Sequence, residues 1–171
     1  MKFILLLYLL TSTLACGTES TDQINLLFDN KKTKDPRVMK SIEAVFLKYY
    51  KSFNKDCGVR ARIPIGLSEE KADYAAVCYI WTNDKNVVTF KEIRVNKFYW
   101  SSYDEETKQW LVYHELGHCV LNKEHNAAMF TPYTPKSIMH PTLPINAKYL
   151  LQNDREYYIK ELCGTTKKEP L

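Results

Sequence analysis

Two histidines four residues apart, with a glutamate directly after the first, stand in the second half of the chain at His114, Glu115 and His118. In an α-helix, residues i and i+4 share one face a turn apart, so a helix would bring both imidazoles to one point. Acidic residues at positions 104–106 suit a helix start, and Asn122 suits a helix end because asparagine tolerates the left-handed conformation. The sequence therefore predicts a helix from about residue 103 to residue 121 that carries both histidines.

The spacing of His114 and His118 predicts a metal site, and zinc is the metal that its chemistry favours. Zinc prefers nitrogen ligands at about 2.0–2.1 Å in a tetrahedral set. Glu115 follows the first ligand, where a carboxylate can take a proton from a zinc-bound water whose pKa falls to about 7. We expect one zinc ion per chain with Glu115 as general base. The alternative is a pair of helical histidines held by ordinary hydrogen bonds.

A catalytic zinc ion takes a third protein ligand and keeps a fourth position for water. His125 lies seven residues after His118, beyond the helix end expected at Asn122, where a turn can bring its imidazole back to the metal. We expect His125 to be the third ligand. Three carboxylates remain as alternatives: Glu124, Glu156 and Glu161.

These residues resemble the signature of the metzincin branch of the zincin metallopeptidases, H-E-x-x-H-x-x-G-x-x-H. Here residues 114–125 read H-E-L-G-H-C-V-L-N-K-E-H, which is one residue longer and has Asn122 in place of the turning glycine. The resemblance covers about residues 104–141. It implies a zincin-like fold, a bound zinc ion and hydrolysis of peptide bonds.

Residues 137–141, S-I-M-H-P, resemble the Met-turn of the same family, in which a methionine forms an apolar floor beneath the zinc. Met139 would be that methionine; a buried gap-filling side chain is the alternative. Some metzincins use a tyrosine just after this methionine as a further ligand, whereas His140 and Pro141 follow here. His140 is a candidate to hydrogen-bond a substrate, or else to support the site from outside it or lie at the surface.

The resemblance implies an endopeptidase whose zinc polarises the carbonyl of a peptide or protein substrate while Glu115 moves a proton to the leaving amine. The alternative function is a zinc-binding envelope lipoprotein without catalysis, although such a site has no need of Glu115. A formal net charge of +4 is too small to indicate nucleic acid as a partner.

The N-terminal residues predict an export signal. A basic start is followed by eight apolar residues at 3–10, too few to span a bilayer. Residues 11–15 ahead of Cys16 resemble the lipobox of bacterial lipoproteins, with Thr13 where that pattern prefers leucine. The resemblance implies a lipidated Cys16 that anchors the protein to a membrane of the cell envelope. Gly17 then implies the outer membrane of a two-membrane host, and secretion after cleavage behind residue 15 is the alternative.

The chain has five cysteines, and an odd cysteine in an exported protein needs an explanation. Lipidation of Cys16 would leave an even set of four that fits two disulfides in an oxidising compartment. Four cysteines allow three pairings. We expect Cys57 to pair with Cys78 and Cys119 with Cys163, and buried free thiols are the alternative.

The 171 residues, of which 45% are hydrophobic and 26% charged, fit one packed domain. We expect a signal peptide at 1–15, a tether at 16–34 and the domain at 35–171. Apolar spacings of three and four predict a helix at about 36–53, and β-rich runs predict strands at 59–65, 74–81 and 87–95. A last helix is expected at about 154–163, with 126–148 irregular. The predicted class is α+β: a small mixed sheet with an active-site helix and a C-terminal helix.

Overall fold

The computed structural model describes residues 39–70 and 72–164, and these form a mixed α+β domain, which confirms the predicted class. A 3-10 turn at Ala44–Phe46 leads into the first of four helices: α1 (Leu47–Cys57), α2 (Lys97–Ser102), α3 (Glu105–Leu121) and α4 (Ala147–Cys163). The strands are β1 (Ile65–Ser68), β2 (Ala76–Thr82), β3 (Val88–Asn96), β4 (Met129–Thr131) and β5 (Thr134–Pro135).

The larger sheet has the order β1-β3-β2, with β3 parallel to β1 and antiparallel to β2. Its mixed, partly antiparallel character was expected from the sequence. Ile65, Ile93 and Cys78 lie opposite one another across the three strands, and all three are fully buried. Since α3 contacts both β2 and β3, the sheet forms one wall against which the histidine-bearing helix packs.

The first strand begins later than its alternating residues predict. Residues 59–64 are irregular, and β1 starts at Ile65, directly after Pro64. Proline has no N–H to give to a sheet ladder, so the pairing begins beyond it. The irregular segment is held by α1 instead: Ala61 N–H donates to Asn54 Oδ1 at 2.9 Å, and the Tyr50 hydroxyl donates to the carbonyl of Ile63.

The first helix also begins later than residue 36. Residues 39–43 are not helical, and Ile42 pairs with Ile65 in a parallel bridge. Glu43 N–H donates to the carbonyl of Ile65 at 3.0 Å, and Ile65 N–H donates to that of Ser41 at 3.2 Å. These bonds hold the segment beside the edge strand β1. This tertiary pairing overrides the local preference for a helix that the spacing of apolar residues indicates.

The last helix starts earlier than expected, at Ala147, and packs against α3 and α1. Its backbone departs from helical angles at Asp154, with φ −126° and ψ 28°. The helix predicted at about 154–163 therefore corresponds to the part of α4 from this kink onward. The short helix α2 and the hairpin of β4 and β5 were not predicted.

Two disulfides are present, but the expected pairing is wrong. Cys57 bonds to Cys163, and Cys78 bonds to Cys119. The first joins the C-terminal ends of α1 and α4, and the second ties β2 to α3. The partners are 106 and 41 residues apart, so the pairing follows from helix and sheet packing rather than from any local pattern.

The predicted signal peptide, tether and lipidated Cys16 fall within residues 1–38, outside the described residues, and stay predictions. In the part of the chain that is described, none of the helices combines the length and apolarity needed to span a membrane.

Candidate metal centre

Helix α3 has the two ends that its sequence predicts. Its N-cap is Asp104, whose Oδ1 accepts the N–H of Thr107 at 2.8 Å. Its C-cap is Asn122 in the left-handed conformation, with φ 51° and ψ 37°. The N–H groups of Asn122 and Lys123 both donate to the carbonyl of Gly117, which turns the chain sharply back after the helix.

The turn brings His125 to the two histidines of α3. Nε2 of His118 lies 3.0 Å from Nε2 of His114, and Nε2 of His125 lies 3.3 Å from the same atom. The ligand atoms of all three residues lie within 4.8 Å of one another. Among the described residues this is the one group of three or more metal-ligating side chains at such a spacing.

Backbone carbonyls orient the two helical imidazoles. Nδ1 of His114 donates to the carbonyl of Ile138 at 2.7 Å, and Nδ1 of His118 donates to that of Lys123 at 2.6 Å. A carbonyl oxygen only accepts, so each proton sits on Nδ1 and each Nε2 presents a lone pair to the cluster. Two lone pairs 3.0 Å apart repel each other unless a cation or a proton lies between them.

The surroundings keep the three imidazoles neutral. Complete burial holds the pKa of His114 well below its usual value, and burial lowers that of His118 to about 4. Burial also lowers the pKa of His125, which is the most exposed of the three. Neutral imidazole is the form that binds a metal ion, so the cluster is ready for one at neutral pH.

Two of the three distances between ligand nitrogens fit a tetrahedral ion, and the third is no longer than 4.8 Å. Bonds of about 2.0–2.1 Å at tetrahedral angles would place ligand nitrogens about 3.3–3.4 Å apart. The separations of 3.0 Å from His118 to His114 and 3.3 Å from His125 to His114 are close to that spacing. His114, His118 and His125 can therefore hold a metal ion, as the sequence predicts.

The alternative carboxylate ligands lie outside this cluster. Glu161 accepts a hydrogen bond from the Ser137 hydroxyl at 2.8 Å, which engages it at the Met139 turn. Glu124 and Glu156 are exposed to solvent. None of the three joins the histidines, which leaves His125 as the third candidate ligand.

Glu115 is the most unusual group of the site, because its side chain is fully buried. The backbone N–H of Cys78 lies near this carboxyl, but neither carboxyl oxygen makes a well-formed hydrogen bond with the described residues. Burial raises its pKa well above the usual value, and the backbone N–H of Cys78 opposes that rise. On the helix it lies about 60° from His118 and about 100° from His114. A buried carboxyl without a partner is costly, so a bound water or substrate beside the cluster would stabilise it.

Met139 lies against α3 at Gly117. Met139 is buried, and a β-carbon at position 117 would overlap its sulfur. The turn that holds it is closed by Ser137, whose hydroxyl accepts the N–H of Met139 at 2.9 Å while donating to Glu161. Asn126 N–H donates to the carbonyl of Met139 at 2.9 Å, which links the turn to the residue after His125.

His140 follows this turn and lies outside the metal cluster. Its Nδ1 is 3.2 Å from the N–H of Thr142 and 3.0 Å from the Thr142 hydroxyl. It lines a cavity of about 360 Å³ whose wall is largely apolar. Other residues of that wall come from the β4–β5 hairpin and the loop before α4: Met129, Tyr133, Leu143 and Ile145.

Comparison of the chain with models of protein families, with curated protein sequences and with solved structures gives no match. The likeness to metzincins therefore depends on the motifs alone.

Several residues that shape the site were missed by the sequence analysis. The carbonyls of Ile138 and Lys123 carry no side-chain signal, so no pattern could have found them. Gly117 did carry one, since a glycine within a helix costs about 1 kcal/mol relative to alanine and calls for a packing reason. The role of Glu161 at Ser137 is visible only once α4 is folded against the turn.

Proposed function

We propose that this protein is a zinc-dependent metalloendopeptidase of the cell envelope. The proposal rests on one arrangement: three imidazole nitrogens converge, and the carboxyl of Glu115, the residue after His114, is fully buried without a well-formed hydrogen bond to any described residue. A site that only binds metal would gain nothing from such a carboxyl, which is costly to bury. A site that moves a proton needs one.

His114, His118 and His125 would hold the ion through Nε2. When bound, zinc supplies a Lewis acid that polarises a substrate carbonyl and lowers the pKa of water. Glu115 takes the proton of the water that attacks the peptide carbonyl and then gives it to the leaving amine.

The cavity beside His140 offers a place for an apolar side chain of a peptide or protein substrate. Met139, seated on Gly117 in its tight turn, supports the kinship with metzincins and a zincin-like fold that the motifs imply. His140 forms part of the wall of this cavity, where it is the candidate for a hydrogen bond to substrate.

The compartment is part of the proposal. Two disulfides are typical of oxidising surroundings and support export of the domain. A lipid on Cys16 would then anchor the protein to a membrane of the bacterial envelope, and secretion is the alternative. Metabolic labelling with a radioactive or clickable fatty acid tests the anchor, since Cys16→Ser should abolish incorporation.

The first experiment measures zinc per chain in the full-length protein, produced with its disulfides and kept in mild detergent. We expect about one zinc per chain in wild type and in Glu115→Gln, and a clear loss in His114→Ala. Hydrolysis of an unstructured protein such as casein, and of a mixed peptide library, should fall at least about 100-fold in Glu115→Gln. Tightly bound zinc with no hydrolysis of any substrate would favour the non-catalytic zinc-binding lipoprotein. Wild-type rates in Glu115→Gln would exclude the proposed role of that carboxyl.

A further inference from the structure

Lys91, in the middle of the central strand β3, reaches across to the end of the histidine-bearing helix. Its Nζ lies 2.8 Å from the carbonyl oxygen of Cys119 and 2.8 Å from Oδ1 of Asn122. The side chain is partly buried. An ammonium group placed on two oxygens in partial burial makes stronger hydrogen bonds than the same group in water.

Both oxygens belong to the segment that turns the chain back to the metal cluster. The last carbonyls of a helix have no partner inside it and carry partial negative charge, so a cation is favourable there. Lys91 occupies this place at the C-terminal end of α3. It also holds the side chain of Asn122, whose left-handed backbone starts the turn.

The turn carries two parts of the candidate metal centre. The carbonyl of Lys123 accepts the Nδ1 proton of His118, and His125 follows two residues later. His125 has no helix or strand of its own to fix it, because residues 122–128 are irregular. Its position therefore depends on the turn before it and on the bond from Asn126 to Met139 after it, and Lys91 ties that turn to the central strand of the sheet.

We propose that Lys91 is a positioning residue that holds residues 119–125 in the geometry by which His125 reaches the metal. This inference rests on the metal binding in the proposed function, and not on the hydrolysis. Lys91 does not touch the ion. It lowers the freedom of the loop that brings the third ligand, so a chain without it should bind metal more weakly while keeping its fold.

The test compares zinc affinity in the full-length protein, measured by competition with a chromophoric chelator. Lys91→Met removes the ammonium group and keeps the aliphatic stem, and Lys85→Met is the matched control in the exposed turn between β2 and β3. We expect Lys91→Met to bind zinc about tenfold more weakly, as is usual when support around a ligand is lost, and Lys85→Met to match wild type. Lys91→Arg should recover most of the affinity.

A double-mutant cycle with His125→Ala identifies the route of the effect. If Lys91 acts through His125, Lys91→Met should weaken zinc binding in the wild-type background and have little effect once His125 is alanine. In the cobalt-substituted protein, the visible absorption of Lys91→Met should move toward that of His125→Ala. Asn122→Gly, which keeps the left-handed backbone but removes Oδ1, should weaken binding in the same direction and serves if Lys91→Met does not fold.

Equal zinc affinity in Lys91→Met and wild type would overturn the inference and leave the proposed function standing. An equal loss with and without His125 would also overturn it, because the effect would then not pass through the third ligand. A wild-type chain that binds no metal would overturn both.

Discussion

The sulfur of Met139 rests on the face of Gly117 where any other residue would carry its β-carbon. Gly117 directly precedes His118, and Met139 directly follows the residue whose carbonyl orients His114. One contact therefore connects the helix that carries two candidate ligands with the turn that orients one of them. The fit requires glycine at 117, although glycine weakens a helix.

Gly117→Ala should lower stability, although alanine is the better helix former. In an open helix this change stabilises by up to about 1 kcal/mol, but here the new methyl group meets Met139, and overpacking of this kind costs about 1–3 kcal/mol. Chemical denaturation of the metal-free protein checks the sign. The double variant Gly117→Ala with Met139→Ala should recover part of the loss, and an increase in stability in the single variant would contradict the contact.

Ser137→Ala should weaken zinc binding about tenfold or more without touching a ligand. Its hydroxyl joins Glu161 on α4 to the N–H of Met139, and the next carbonyl, that of Ile138, orients His114. Glu161→Gln should act in the same direction with a smaller effect, because the amide oxygen can still accept. Chelator competition measures both, with exposed Glu156→Gln as the control that should match wild type.

Removal of the metal ion should destabilise the domain. A ligand that binds only the folded state contributes about 2.7 kcal/mol when present at 100 times its dissociation constant. Thermal unfolding with zinc and then with excess chelator should therefore show a clear fall in Tm for wild type. His114→Ala should give the same Tm in both conditions, and an unchanged wild-type Tm would contradict metal binding by the folded chain.

Loss of the Cys57–Cys163 disulfide should cost more stability than loss of the Cys78–Cys119 disulfide. Loop-closure entropy predicts about 4.8 kcal/mol for the 106-residue separation and about 3.9 kcal/mol for the 41-residue separation. Urea denaturation of the paired serine variants measures both losses. Removal of the Cys78–Cys119 disulfide should also weaken zinc binding, since Cys119 directly follows His118. Removal of the Cys57–Cys163 disulfide is the control, and it should affect zinc binding less.

The helix that carries the histidines could be predicted because its ends are set by local chemistry. The Asp104 side chain accepts the N–H of Thr107, three residues later, and Asn122 itself takes the left-handed conformation that ends the helix. Both signals therefore lie within a few residues of the helix ends that they set. His125 could be proposed for the same reason, since the turn at Asn122 decides where the chain goes next.

The pairing of the cysteines could not be predicted, because it depends on which elements pack together. Cys57 and Cys163 meet because α1 packs against α4, and these two helices are far apart in the sequence. The non-helical start at residues 39–43 has the same origin: Ile42 finds a strand partner in Ile65, which its own helical spacing does not reveal. The sequence could not exclude Glu161 as a ligand, because its hydrogen bond with Ser137 depends on the same long-range packing.

The hydrogen bond from His114 to Ile138 spans 24 residues, and this separation has a bearing on when the histidine cluster could first hold a metal ion. A chain synthesised only to the end of α3 has two histidines on a helix but neither the carbonyl that orients the first nor the turn that brings His125. An ion bound by all three histidines would then be captured late, after the segment that contains Ile138 has folded against the helix. Because a nitrogen-only site binds copper at least as well as zinc, the ion it takes is decided by the metals available where folding finishes.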